Sequence, residues 1–258
     1  MKRLLIVAGL LAFAACSPPA ATDSSPAQVA LSADAAHIVA AIADARRPAE
    51  DTARDAARHP GETLAFAEIR PGARVADLLP GGGYFTRLFA VAVGEEGRVY
   101  PVIRPDGVAG QFETPILDVA AQYPNATMSR TLYDALNFPE PLDVIFTAQN
   151  YHDLAIASYN MGDRNAMNAT AFAALKPGGA YIIIDHSDVA GAPVQTEDTA
   201  NHRIDQAIVR QEVEAAGFVF DGEGDFLRNP ADPRTANVFD AAIRGHTDQF
   251  VLRFRKPG

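Results

Sequence analysis

The sequence predicts an α/β protein, a mostly parallel seven-stranded sheet covered by helices on both faces in a three-layer sandwich. Three observations lead there. Val/Ile-rich runs such as "LDVIFTA" at 142–148 and "GAYIIIDHS" at 179–187 lack the alternation of a half-exposed strand, as expected of strands buried on both faces. From residue 73 onward such runs alternate with amphipathic stretches, the pattern of βαβ units. The last two runs, "FVFDGEGDFL" and "DQFVLRFRKP", are more polar and joined by a long polar connection, which predicts an antiparallel pair at a sheet edge.

The elements follow in chain order. Ile38, Val39 and Ile42 give one apolar helical face, with Asp34 as its N-cap, and Pro48 ends that helix. A second helix, rich in Ala, Asp and Arg, spans about 49–58, and "HPGETLAFAEIRPG" leads into the first strand. Both N-terminal helices (34–60) read as a packing layer or lid. "ARVADLL" at 73–79 is the first strand, followed by helix 83–93, and "GRVYPVI" at 97–103 is the second, followed by helix 108–122. A short strand lies near 126–130. "LDVIFTA" precedes helix 160–175, and "GAYIIIDHS" precedes helix 200–216, whose end is marked by Gly217. The architecture expected for residues 34–258 is Rossmann-like.

The first strand ends in "VADLLPGGGYFTRLFA". Glycine lets a chain turn sharply and lets backbone approach a ligand that a Cβ would hold off. The dinucleotide fingerprint G-x-G-x-x-G is not met, because Thr86 stands at the third glycine position, and no G-K-[S/T] phosphate loop follows. A carboxylate, Asp77, beside the turn suits a ligand with hydroxyls or a cationic amine and disfavours a pyrophosphate. The same residues also make an ordinary tight βα turn that binds nothing.

Together, "VADLLPGGGYFTRLFA", "LDVIFTAQNYHDL" and "LKPGGAYIIIDHS", in that order, resemble class I S-adenosylmethionine-dependent methyltransferases over about residues 60–227. The chain resembles in particular a group of exported bacterial proteins predicted from sequence to be methyltransferases. The resemblance implies S-adenosyl-L-methionine as cofactor, held by Asp77, by Gly81, Gly82 and Gly83, by Asp134 at the adenine, and by Gln149 and Asn150 after the fourth strand. It also implies "DQFVLRFRKP" as the seventh, antiparallel strand. At one place the chain departs from the family. An acidic residue that binds the ribose is expected at the end of the second strand, where Val102, Ile103 and Arg104 stand and Asp106 comes a few residues late.

Histidines and acids gather at the predicted ends of the fourth and fifth strands, where open α/β sheets bind ligands. His152 and His186 are candidate general bases for an acceptor hydroxyl, and Tyr151, Asp185, His202 and Arg203 candidate acceptor contacts. Each histidine has an equally simple reading as a hydrogen-bonded loop residue. His202 and Asp205, three apart on the predicted helix, share a face, but no metalloprotease spacing is present and no metal ligand set is assigned. "LRNPADPRT" at 227–235 reads as a rigid surface loop, or as a lid whose Arg228 or Arg234 meets an anionic substrate.

Charge narrows the partners. The 258 residues carry a net charge of −10, which repels a phosphate backbone and argues against nucleic acid. Residues 1–15 read as an export signal: Lys2 and Arg3, then an apolar block too short to span a bilayer. Cys16, the sole cysteine, follows Ala14-Ala15 as in a bacterial lipobox, although Phe13 stands where Leu is usual. Lipidation of Cys16 would place the protein on the periplasmic side of a bacterial membrane. Cleavage after "Ala12-Phe13-Ala14" would give a soluble periplasmic protein instead. Residues 16–33, rich in Ser, Pro and Ala, read as a tether. The function expected is methyl transfer to a small molecule or lipid, or, alternatively, exported non-catalytic binding of a small ligand on the same fold. Oligomeric state is left open.

Overall fold

The computed structural model describes residues 35–105, 110–197 and 200–258, the side chains of 110–112 excepted. The leader, the tether, Cys16, Asp34 and Asp106 lie outside the described residues.

Seven strands form one sheet in the order β3-β2-β1-β4-β5-β7-β6. They are β1 (Arg74–Leu78), β2 (Arg98–Ile103), β3 (Ser129–Arg130), β4 (Leu142–Ala148), β5 (Leu175–His186), β6 (Val219–Gly224) and β7 (Gln249–Arg255). All neighbours pair in parallel except β7, which runs antiparallel to both β5 and β6. The period-two alternation of each strand splits the core in two. Val75, Val99, Val144, Phe146, Ile182 and Ile184 pack one face, and Ala76, Leu78, Val102, Ile145, Ile183 and Leu252 the other. Both faces are covered along β1, β2, β4 and β5, which is why those strands carry no polar alternation, whereas β6 at the sheet edge alternates exposed and half-buried residues.

The first face is covered by α1 (Ala36–Ile42), α4 (Pro60–Phe66), α5 (Tyr84–Val93) and α6 (Gly110–Gln122), the second by α7 (Arg164–Ala174) and α8 (Gln206–Ala215). No helix among the described residues is long and apolar enough to cross a membrane.

Four local expectations are corrected. Residues 49–58 form two single turns, α2 (Ala49–Thr52) and α3 (Asp55–Arg58), and α4 follows where only a lead-in was expected. His59, left-handed at φ 43°, separates α3 from α4, and Pro60 opens α4 at its first position, the one place a helix accepts it readily. Val39 faces out, 49% exposed; Ile38 and Ala41 are the buried residues of α1. The helix expected from 160 begins at Arg164, capped by Asp163. The one expected from 200 begins only at Gln206. Residues before it run alongside β5 through Ser187–Ile204, and Asp205 accepts the Ala207 N–H as N-cap.

Candidate functional site

The direction of connection reverses between β1 and β4, and the cavity of interest opens at their carboxyl ends, as expected at a topological switch point. Its volume is about 250 Å³. One wall is the β1–α5 turn with Asp77, Gly81 and Gly82. A second is the segment after β4 with Gln149, Asn150, His152 and Asp153. His186 closes the end of β5, Arg54, Arg58, Tyr84 and Phe85 lie on the helical side, and Val238 and Phe239 form the rim.

The turn is built from backbone. Gly81 is left-handed at φ 55°, and a Cβ added at Gly81 or Gly82 would meet no protein atom within 4 Å. Both glycines therefore leave open a space that a side chain would occupy. Gly83 is different: its Cβ would lie 2.8 Å from Val119 Cγ2 and 3.2 Å from Ile116 Cδ1. It allows α5 to start close against α6 and is not part of the cavity wall. Arg87 holds the turn in place, donating to the Gly82 carbonyl at 2.8 Å and to Asp51 at 2.9 Å.

Asp77 is 2% exposed and accepts a 2.6 Å hydrogen bond from Thr86 Oγ1. Burial pushes its carboxyl up to about 7, against the Thr86 hydrogen bond and the charge of Arg58. Arg58 donates to Gln149 Oε1 at 3.0 Å, and Gln149 donates on to Gln249 Oε1 at 3.0 Å. Burial, with Arg54 nearby, lowers the Arg58 guanidinium to about 10. Thr86, which broke the dinucleotide fingerprint, thus orients the acid. Arg54 and Arg58 escaped the sequence reading because an Ala/Asp/Arg-rich segment has the composition of any solvated helix. The signal available was their i, i+4 spacing.

The second cluster is built from side chains. Asp185, fully buried, accepts the Nδ1–H of His152 at 2.7 Å and the backbone N–H groups of His152 and His186 at 2.9 and 2.8 Å. Burial would raise its pKa, but the charge and hydrogen bonds of His152 hold it below the ordinary carboxylate value. For His152, burial works against protonation and is outweighed by Asp185 and Asp153, which hold the ring up at about 10. Burial brings His186 down to about 4 despite Asp185, and its Nδ1 is hydrogen-bonded to Thr247 Oγ1 at 2.7 Å. The two candidate bases therefore differ: His152 is held as a cation, His186 as a neutral ring. His202, left-handed at φ 60°, meets Asp153 and packs its ring on Phe239.

Several sequence candidates lie elsewhere. Tyr151 is fully buried in the second core, its hydroxyl donating to Glu212 and accepting from Asn168, both at 2.8 Å. Tyr151 leads into the short 3-10 turn His152–Ala155, and from there its ring enters the second core while His152 lines the cavity. Arg203 is buried in an ion pair with Asp232 and donates to the Ser187 and Ala236 carbonyls, clamping the 225–248 connection. Arg228 and Arg234 both pair with Asp248, so they hold that connection and do not await an anion. Asp205, as N-cap, shares no helical face with His202. Asp134 packs on Gly162 and accepts the Asp163 N–H at 3.4 Å, outside the cavity. At the end of β2, Arg104 is buried and donates to the Tyr159 carbonyl at 2.7 Å.

No family model matches the chain. A structure of a SAM-dependent methyltransferase from Aquifex aeolicus superposes with a TM-score of 0.55 at 16% identity, covering 81% of this chain and 98% of the other. The chain has the fold of these enzymes. The [4+2]-cyclase SpnF superposes with a TM-score of 0.57, also at 16% identity, over 87% of this chain and 93% of its own. By sequence, the ubiquinone/menaquinone biosynthesis C-methyltransferase UbiE of Burkholderia vietnamiensis is 30% identical over 130 residues, 49% of each chain. The chain spans about half the length of the curated relatives it matches.

Proposed function

We propose that the protein is an S-adenosylmethionine-dependent methyltransferase that acts on a small molecule or lipid. One observation carries this reading: a buried carboxylate and two cavity-facing glycines share a turn at the switch point of a methyltransferase fold. The likeness to a SAM-dependent methyltransferase structure and to UbiE supports it. The residues present fit the amino-acid half of the cofactor. Asp77, ionised, suits a cationic amine; Arg58 and Gln149 suit a carboxylate; Gly81 and Gly82 leave room for both. Among the described residues no acid in the cavity matches the adenosine half, because Asp134 and the end of β2 are bonded to the 159–163 segment.

The cofactor supplies an electrophilic methyl on a sulfonium. The chain needs chiefly to hold the acceptor in line with it. His186, hydrogen-bonded through Nδ1 to Thr247 and set at the cavity wall, is the ring placed to take a proton from an acceptor hydroxyl. Phe239, 58% exposed at the rim, gives an apolar acceptor a surface. Residues 1–16 support export, with lipidation at Cys16. Globomycin should block maturation, and Cys16→Ala should abolish acylation. If neither changes maturation, the soluble periplasmic form replaces it.

Isothermal titration with S-adenosylhomocysteine tests the cofactor. Micromolar binding that is lost in Asp77→Ala is expected, and no binding at millimolar ligand overturns the proposal. Binding without methyl transfer to any extract component would favour a non-catalytic ligand-binding protein. The absence of an acid at the end of β2 is the observation behind that second reading.

A further inference from the structure

Three donor atoms from two separate segments converge at the cavity wall. His152 Nε2 lies 3.0 Å from Asp153 Oδ1, His202 Nδ1 lies 3.1 Å from the same oxygen, and the two imidazole nitrogens are 3.3 Å apart. The triangle is nearly equilateral. Ligands bonded to one small cation at about 2.0–2.2 Å stand about 2.8–3.6 Å from each other in octahedral or tetrahedral geometry. A point about 2.1 Å from all three atoms exists, about 1 Å off their plane.

We propose that His152, Asp153 and His202 form a three-ligand site for a divalent transition ion, with Zn²⁺ its first candidate. The donor chemistry selects that class. Two imidazoles and one carboxylate suit Zn²⁺ or Fe²⁺, whereas Mg²⁺ and Ca²⁺ favour all-oxygen sets. The surroundings are those of a metal-binding histidine. Asp185 accepts the Nδ1–H of His152, so Nε2 is the ring atom that faces the other donors, and an incoming ion displaces the proton that Nε2 otherwise shares with Asp153. Asp185 is itself anchored by two backbone N–H groups, so the ring is held before any ion arrives. Tyr159 and Phe239 pack on the His202 ring and limit water on that side. His152 and Asp153 line the cavity, so an ion with three protein ligands retains positions on the cavity side. On the methyltransferase reading, and resting on it, those positions suit an acceptor with an oxygen donor. The ion site itself does not depend on that reading.

The test uses the whole chain, stripped with chelator and titrated with Zn²⁺ by calorimetry and with Co²⁺ by visible absorption. One ion per chain is expected. Asp153→Asn and His202→Ala should each weaken binding at least a hundredfold, and Asp185→Asn about tenfold or more. His246→Ala, on an exposed turn far along the chain, should change nothing. Failure of both ions to bind stoichiometrically overturns the proposal, as does binding unchanged in Asp153→Asn. That variant is nearly isosteric and half-buried, so it decides the matter if His202→Ala does not fold. The two readings fail separately. S-adenosylhomocysteine binding without ion uptake removes only the metal site, and ion uptake without S-adenosylhomocysteine binding removes only the methyltransferase assignment.

Discussion

Two regions at the carboxyl edge of the sheet face each other across one cavity and are built on opposite principles. The β1–α5 turn is local: one acid, two bare glycines and a hydroxyl, all within residues 77–86. The cluster beyond β4 and β5 is long-range. His152 meets Asp185 33 residues away and His202 50 residues away. The first region depends on what side chains are missing, the second on side chains that must all arrive together. Removing a member of the second should therefore damage folding, whereas changes in the first should damage binding.

The largest expected effect tests the second half of that contrast. Asp185→Ala leaves three donors, two of them buried, without their acceptor, which costs about 3–5 kcal/mol. Thermal denaturation should show a marked fall in Tm. A Tm within two degrees of the parent would mean that the cluster is not a structural unit.

Asp77→Asn should do the reverse. Ligand affinity should fall about tenfold to a hundredfold, the loss of one charge-assisted contact. Stability should rise, with the sign set by linkage. The folded carboxyl titrates near 7, above its unfolded value, so its contribution favours the fold in acid and is lost as pH climbs from about 4 through about 7. Denaturant unfolding should find the variant more stable than the parent at pH 8 and equal to it near pH 4. Binding of a cationic amine has the opposite slope. It needs the carboxylate, so affinity in the parent should fall by up to tenfold per unit below about pH 7, and the variant should lack that dependence. Arg58 and Thr86 are the groups that moderate this titration.

Within the turn the glycines sharpen the comparison further. Gly82→Val should leave Tm nearly unchanged and lower ligand affinity about tenfold, because its side chain enters open space. Gly83→Ala, at φ 83° and against Val119, should cost about 1–3 kcal/mol and leave the affinity of the folded fraction intact. Equal effects in both assays would erase the distinction between wall and packing residue.

The same division governs what the sequence made legible. Strand and helix alternation announced the sheet, and β4 falls on the residues expected, because period and apolarity are local properties. Asp77 and the glycine turn could be located for the same reason. Asp134 and Arg104 could not, since the segment that engages both, residues 159–163, lies in a loop whose path depends on tertiary contacts. The joining of His202 to His152 was equally hidden. It depends on residues 200–205 running beside β5, where helical periodicity suggested the first turns of α8. Arg58 enters the cavity only because His59 and Pro60 break the helix immediately after it.

Tyr151 gives the smallest and most discriminating test, because it separates adjacency in sequence from adjacency in space. It stands beside His152 and one residue from Asn150, both at the cavity, yet its ring is wholly buried on the other face of the sheet. Tyr151→Phe keeps that ring and removes a hydroxyl that joins Glu212 to Asn168. The loss is about 1 kcal/mol, enough for a modest fall in Tm. Burial and the charge of Glu212 hold the phenol well above its usual pKa, so it stays protonated across the working range and adds no pH dependence of its own. Ligand affinity, ion uptake and any acceptor KM should match the parent within twofold. A selective rise in acceptor KM with unchanged Tm would instead put the hydroxyl in contact with substrate. It would mean that the segment after β4 rearranges when the cavity fills, and the wall described for that side would then belong to the ligand-free protein alone.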